Sequence, residues 1–182
     1  FGLDEASTDA LITSFDAIDH FVVAYVKVPY YLGDPEVQGP LNVFDVDSVA
    51  GTGRIATDVV PVIISIPKET ATFHQPFPVA IYGHGYTSNH LESLGFAGYL
   101  AHQGVATVGF LAPGHGIQLD PGMDLAVYGL FAGECLAGTG NAALIDRARD
   151  QNGDGQPDSG ADFWSAYVFH TRDAIRQSVL DE

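Results

Sequence analysis

The sequence predicts an α/β fold in which helices flank a mainly parallel sheet. Three apolar runs, at residues 59–68, 77–83 and 105–112, have little polar alternation, which is typical of strands buried on both faces. A helical pattern over residues 91–104 lies between the second and third runs. Strand, helix and strand joined by short connections form a βαβ unit, and such a unit places its two strands in parallel.

The chain before these runs has a less regular pattern. Residues 1–20 show a weak helical spacing, and residues 21–28 form a predicted strand that Pro29 ends. We expect a loop after this strand, with a short strand near 41–46. These elements form a predicted N-terminal extension over residues 1–57.

Proline and glycine mark the limits of the next elements. Pro61 lies within the apolar run 59–68, and its missing N–H group indicates an edge strand or the start of a strand. The helix over residues 91–104 has one apolar face, and Gly104 fits the position just after its end.

The C-terminal part combines a glycine-rich stretch with the strongest helical pattern of the chain. Residues 113–161 are dense in glycine, with helices predicted near 124–132 and 141–149. In residues 161–182, Asp162 can cap a helix whose apolar stripe would face the core. The stripe recurs every three to four residues, at Trp164, Tyr167 or Val168, Thr171, Ile175 and Val179.

The chain is strongly acidic, with a formal net charge of −16 from 23 acidic and 7 basic residues. Such a charge repels phosphate backbones and anionic lipid, so we expect no nucleic-acid partner. The acidic surface either keeps the protein soluble or reflects secretion, cation binding or a saline environment.

The sequence also predicts a secreted or otherwise extracytoplasmic protein. No apolar run approaches the ~20 residues that a membrane-spanning helix needs, so no transmembrane segment is expected. The first residues contain no initiator Met and no basic region, which we interpret as a mature or trimmed start of the chain. Cys135 is the single cysteine, and it is either a buried thiol or pairs with a cysteine outside this sequence.

A histidine between two glycines, Gly83-His84-Gly85, follows the apolar run 77–83. Glycine tolerates positive φ and lets a backbone approach a ligand closely. The amides after this turn would lie at the carboxyl end of the sheet, where open α/β folds bind ligands and where N–H groups can stabilise an oxyanion. We expect His84 to brace the loop through its ring nitrogens.

Two segments in this order, PVAIYGHGYTSN (78–89) and GVATVGFLAPGHG (104–116), resemble the N-terminal half of an α/β-hydrolase. Residues 163–181 resemble the helix that precedes the nucleophile strand in secreted bacterial lipase- and esterase-like members. The resemblance covers roughly residues 58–182, with the glycine-rich stretch as an insertion. It implies oxyanion-hole amides at Gly85 and Tyr86.

The nucleophile motif of this family does not occur in the sequence. Its members carry a serine in G-x-S-x-G, followed in chain order by an acid and a histidine. The resemblance therefore implies that a companion C-terminal segment or chain supplies this Ser-acid-His triad. Without it, we expect an apolar sheet edge with unpaired N–H and C=O groups.

Residues 150–158 (DQNGDGQPD) are similar to the short calcium loops of extracellular proteins. Alternating oxygen-bearing side chains followed by a glycine can surround a Ca²⁺ ion. The predicted ligands are Asp150, Asn152, Asp154, Gln156, Asp158 and Asp162. Ala161 stands where an EF-hand has its glutamate, so the loop is not a full EF-hand, and a polar turn without metal has the same composition.

Two functions follow from these observations. The first is carboxylic ester hydrolysis, in which this chain supplies the oxyanion loop and part of the substrate wall. The alternative is a non-catalytic, calcium-binding extracellular interaction module built on a hydrolase-like scaffold.

Overall fold

A computed structural model describes residues 4–33, 42–117, 146–150, 157–161 and 163–182. The strands are β1 (Ile18–Tyr30), β2 (Val46–Asp47), β3 (Thr52–Gly53), β4 (Ala56–Pro67), β5 (Val79–Gly83) and β6 (Ala106–Phe110). The α-helices are α1 (Glu5–Ser14), α2 (Leu94–Ala101) and α3 (Val168–Asp181), with 3₁₀ turns at Phe15–Ala17 and His90–Ser93. Four strands form one sheet in the order β1-β4-β6-β5, and β2 pairs with β3 separately. None of the helices in the described residues is long and apolar enough to cross a membrane.

The sheet is mixed, so the expectation of a mainly parallel sheet is wrong for the described strands. Only β5 and β6 run parallel, from the pair Val79–Ala106 to the pair Gly83–Phe110. Strand β4 is antiparallel to both β1 and β6. Its continuous apolar sequence reflects burial between two neighbouring strands, and burial carries no information about strand direction.

Strand β4 is internal, so the interpretation of Pro61 as an edge marker is also wrong. The Pro61 carbonyl accepts a hydrogen bond from the Leu111 N–H at 3.1 Å, just past the last β4–β6 pair, Val62 with Phe110. The N and C=O of one strand residue point to the same side. The missing N–H of Pro61 therefore faces the end of β6, and the ladder with β1 loses no hydrogen bond.

Each face of the sheet has its own small apolar cluster. One consists of Val28, Val60, Val62 and Phe110. The other consists of Ile18, Ala97 and Ala101, and it lies where α2 packs. Gly109 faces α2, and a Cβ there would come within 2.6 Å of the His90 carbonyl oxygen, so the 3₁₀ turn rests directly on β6.

The segment between β5 and β6 agrees with its sequence pattern. The Asn89 side chain accepts the Leu91 N–H at 3.0 Å and caps the 3₁₀ turn that leads into α2. Gly104 has φ of 70°, and its N–H donates to the Ala101 carbonyl at 2.9 Å. The helix therefore ends in the left-handed conformation that glycine tolerates best.

Helix α3 buries its polar side, contrary to the expected burial of its apolar stripe. The buried residues are His170, Asp173, Ala174 and Gln177. The exposed residues include Val168, Ile175 and Val179. The helix begins at Val168 after Tyr167, so the predicted start near residue 161 is wrong, and Asp162 lies outside the described residues.

The polar side of α3 is buried because it binds backbone groups at the ends of strands. Gln177 donates to the Pro29 carbonyl at 2.9 Å and accepts the Tyr31 N–H at 2.8 Å. Asp173 accepts the Phe44 N–H at 3.0 Å. These bonds place α3 across the carboxyl end of β1.

Part of the predicted C-terminal structure lies outside the described residues. This applies to the helix predicted near 124–132 and to Cys135. Residues 146–149, the described part of the helix predicted near 141–149, are not helical.

Candidate functional site

The turns that follow β5 and β6 meet at the carboxyl end of the sheet, because these two strands are parallel. His84 joins them. Its Nε2 accepts the Ala112 N–H at 3.0 Å, and its Nδ1 lies 2.9 Å from the Gly85 carbonyl oxygen. Since Nε2 is an acceptor, the ring proton is on Nδ1 and is donated to Gly85. Burial lowers the pKa of His84, which favours this neutral form.

Residues 85–88 form a β-turn, which the Ser88 N–H closes by donating to the Gly85 carbonyl at 3.1 Å. Thr87, the third residue of the turn, has φ of 61°. Neither Gly83 nor Gly85 has a positive φ, so the expectation that these glycines allow a left-handed backbone at this turn is wrong. The left-handed residue comes later than expected, because the chain reverses after Gly85 and not around His84.

The two predicted oxyanion amides differ in their availability. The Gly85 N–H donates to the Glu92 carboxylate at 3.1 Å. The N–H groups of Tyr86 and Thr87, the central residues of the β-turn, make no hydrogen bond to any residue that the structure describes. The Gly85 amide is therefore occupied, whereas the Tyr86 amide has no partner in the part of the chain that the structure describes. The Thr87 nitrogen lies against Gly160, where an added Cβ would come within 3.1 Å of it.

Five rings surround this turn and form an aromatic cluster: His84, Tyr86, His115, Phe163 and Trp164. The His84 and His115 ring centroids are 4.8 Å apart, and Tyr86 lies 6.3 Å from both His115 and Trp164. Tyr86 and Trp164 are more than half exposed. The Tyr86 amide, which has no partner among the described residues, thus lies beside an accessible aromatic surface.

Two further histidines near the turn are buried in the neutral form. His115 donates from Nδ1 to the Pro113 carbonyl at 3.0 Å, which leaves its buried Nε2 without a partner among the described residues. His90 is completely buried, and neither ring nitrogen has a partner in that part of the chain. Burial lowers the pKa of each histidine to about 4.

The side chain of Arg147 joins three elements behind the turn, and the sequence pattern gave no sign of it. Its Nε and Nη2 donate to Asp58 at 3.0 and 2.8 Å. Its Nη1 donates to the Leu111 carbonyl at 2.6 Å and to Asp181 at 2.8 Å. Leu111 precedes Ala112, so Arg147 and His84 hold consecutive residues of the turn after β6.

The structure brings His84, Gly85 and Tyr86 together in one turn but shows neither a nucleophile nor the whole calcium loop. No serine hydroxyl of the described residues hydrogen-bonds to the rings of His84, His90 or His115. The predicted ligands Asn152, Asp154, Gln156 and Asp162 lie outside those residues. Within the ranges described, no three His, Cys, Asp or Glu side chains are grouped to hold a metal ion.

Comparison of the chain with known protein families, curated proteins and solved structures finds no match. A function for this protein is therefore inferred from its own residues.

Proposed function

We propose that this chain supplies the oxyanion loop of a serine carboxylic ester hydrolase of the α/β-hydrolase type. The observation that carries the proposal is the Tyr86 N–H, which lacks a partner among the described residues in a turn at the carboxyl end of β5. Backbone N–H groups in such a position stabilise the negative charge that develops on an ester carbonyl oxygen. The turn also follows the HG motif, as the family resemblance implies.

In the proposed reaction a serine hydroxyl attacks the ester carbonyl carbon and gives its proton to a histidine base. The carbonyl oxygen becomes an oxyanion and accepts the Tyr86 N–H. The alcohol leaves with the proton from the histidine, and water then hydrolyses the acyl-serine to the free acid. His84 transfers no proton in this scheme, because both of its ring nitrogens are used to hold the loop.

We also propose a companion C-terminal segment or chain that carries the serine, acid and base. Strand β5 pairs with β6 on one side, and no strand of the described residues pairs with its other side. Val79 and Ile81 are 59% and 57% exposed, so apolar surface borders this open edge. A strand that paired there would satisfy the free N–H and C=O groups of β5.

The alternative is a non-catalytic extracellular interaction module that binds calcium. It is favoured by the lack of a serine–histidine hydrogen bond at the turn within the described residues, and by the occupied Gly85 amide. In either case we propose that the Asp150–Asp158 loop binds a structural Ca²⁺ ion, on the strength of its sequence pattern. The proposed location remains secreted or extracytoplasmic.

The decisive experiment compares two substitutions that both remove the Tyr86 ring, only one of which also removes the N–H. Tyr86 is the second residue of the β-turn, where proline is well accommodated. In the chain combined with its companion, we expect Tyr86→Pro to lower kcat on a short-chain nitrophenyl ester by about 10²–10³-fold. Tyr86→Ala, which keeps the N–H and removes the ring, is the matched control and should retain most of kcat.

Three results would contradict the proposal or part of it. Ester turnover that a serine-directed phosphonate does not block would exclude a serine nucleophile. A gene that carries no G-x-S-x-G motif after Glu182, together with no companion protein, would favour the interaction module. A stable monomer of 19.3 kDa in native mass spectrometry would count against the companion and against self-association.

A further inference from the structure

We propose that Glu92 is a positioning residue that fixes the β-turn at residues 85–88 and decides which amides a ligand can reach. Its carboxylate occupies the Gly85 N–H, at 3.1 Å, and so leaves the Tyr86 N–H, which has no partner among the described residues, as the donor for the ligand. The inference deepens the proposed function, because it assigns a residue that shapes the oxyanion loop. No sequence motif pointed to Glu92.

Glu92 can hold the turn because its own backbone is held firmly. It lies in the 3₁₀ turn His90–Ser93, and its N–H donates to the Asn89 carbonyl at 3.1 Å. The neighbouring Ser93 is buried and donates to the His90 carbonyl at 2.8 Å. This turn rests on Gly109 of β6, where no Cβ would fit. The segment that carries the Glu92 carboxylate is therefore packed against the sheet.

The surroundings of Glu92 favour its charged form. The Gly85 N–H lowers the pKa of the Glu92 carboxyl most, and this outweighs the opposing effect of burial. The hydroxyl groups of Ser88 and Tyr82 and the ring of His84 lower the pKa further. At neutral pH the group is a carboxylate, and hydrogen bonds to an ionised acceptor are the stronger ones.

Glu92 and His84 hold the two polar groups of Gly85. Glu92 accepts its N–H, while His84 and the Ser88 N–H donate to its carbonyl oxygen. With Gly85 fixed on both sides, the peptide groups that follow have a defined direction although Gly85 itself is exposed. An oxyanion donor needs such a fixed direction before the substrate arrives.

The first test measures the hydrogen bond without any reaction. In ¹⁵N-resolved NMR of the full chain, we expect Glu92→Ala to raise the exchange rate of the Gly85 amide at least fivefold. Glu92→Gln keeps an oxygen acceptor and should restore more than half of the protection. Glu69→Ala is the matched control, because the exposed Glu69 carboxylate accepts the Gln75 N–H at 3.4 Å in another loop. An unchanged Gly85 exchange rate in Glu92→Ala would overturn the proposal.

A second measurement needs no destabilising variant. In the wild-type chain, the Gly85 amide shift should follow protonation of Glu92 as the pH falls below 4.5. Glu92→Gln should reduce this response to the part that comes from His84, whose ring contacts the Gly85 carbonyl. A Gly85 shift that is independent of pH in the wild type would also overturn the proposal.

The third measurement links the Glu92–Gly85 hydrogen bond to the proposed reaction. With the companion present, Glu92→Ala should lower kcat about tenfold with little change in KM, and Glu92→Gln should recover part of the loss. If the NMR results are as expected but no ester is hydrolysed, the role of Glu92 in fixing Gly85 is supported and the proposed function is refuted. If kcat is unchanged while Gly85 loses its protection, the positioning role is refuted but ester hydrolysis is not.

Discussion

The guanidinium group of Arg147 and the carboxylate of Asp181 form an ion pair of 2.8 Å in which both side chains are almost completely buried. Through Asp58, Leu111 and Asp181, this arginine links the start of β4, the end of β6 and the end of α3. Removing it would leave two carboxylates without their cation. We expect Arg147→Met to lower the free energy of unfolding by about 3–5 kcal/mol, as measured by urea denaturation.

Arg176→Met is the control for this prediction. Arg176 pairs with Asp173 at 3.1 Å, but its side chain is 58% exposed. Solvent screening makes such a pair worth about 0–1 kcal/mol. Equal losses of unfolding free energy in the two variants would show that the buried ion pairs of Arg147 stabilise the protein no more than an exposed pair does.

The left-handed conformation of Thr87 predicts a stabilising substitution. A β-branched residue at φ of 61° is strained, whereas glycine is not. We expect Thr87→Gly to raise the free energy of unfolding by about 0.5–1 kcal/mol. Thr72→Gly, in an exposed loop without positive φ, should lower it instead. A loss of stability in Thr87→Gly would mean that the threonine side chain contributes more than the strain costs.

The buried histidines predict loss of stability in mild acid. Burial lowers the pKa of His90 and of His115 from 6.5 to about 4. Between these values the unfolded chain binds more protons than the folded one, so this stability is complete above pH 6.5 and is lost as the pH falls towards 4. Asp146 and Asp181, whose pKa values burial raises, oppose the trend.

The contribution of one histidine can be isolated. We expect His115→Phe to reduce the slope of unfolding free energy against pH by about 1.4 kcal/mol per pH unit between pH 4.5 and 6. Urea unfolding at several pH values gives both slopes, and parallel curves for wild type and His115→Phe would contradict the assignment.

The proposed calcium loop predicts a thermal shift. After chelation, Ca²⁺ at about 100 times its Kd should raise Tm by about 5–10 °C. Asp154→Asn removes one ligand charge and should weaken the response, whereas Asp9→Asn on the exposed side of α1 should not. If Ca²⁺ does not change the Tm of the wild-type protein, the proposal that this loop binds calcium is wrong.

The sequence was informative where the signal is local. The strand before the GHG motif, the helix predicted over residues 91–104 and the strand after it all lie close to their predicted limits. Apolar runs and a glycine C-cap act over a few residues, so neighbouring sequence is enough to recognise them.

The misses concern partners that lie far away in the chain. The direction of β4 depends on its pairing with β1 and β6. Pro61 is tolerated inside the sheet because its missing N–H lies where β6 ends. Arg147 matters because of Asp58, 89 residues away. Glu92 lies only seven residues from Gly85, but its role depends on how the chain folds back between them. No pattern within a short window distinguishes such an arginine or glutamate from a surface one.

The inverted burial of α3 determines which of its positions tolerate change in this chain. A hydrophobicity plot would single out Val168, Ile175 and Val179, yet polar replacements there should be accepted. Apolar replacements of Asp173 or Gln177 would strip the backbone groups of Phe44 and Tyr31 of their partners. Solubility engineering of this chain should therefore begin on the hydrophobic side of its last helix.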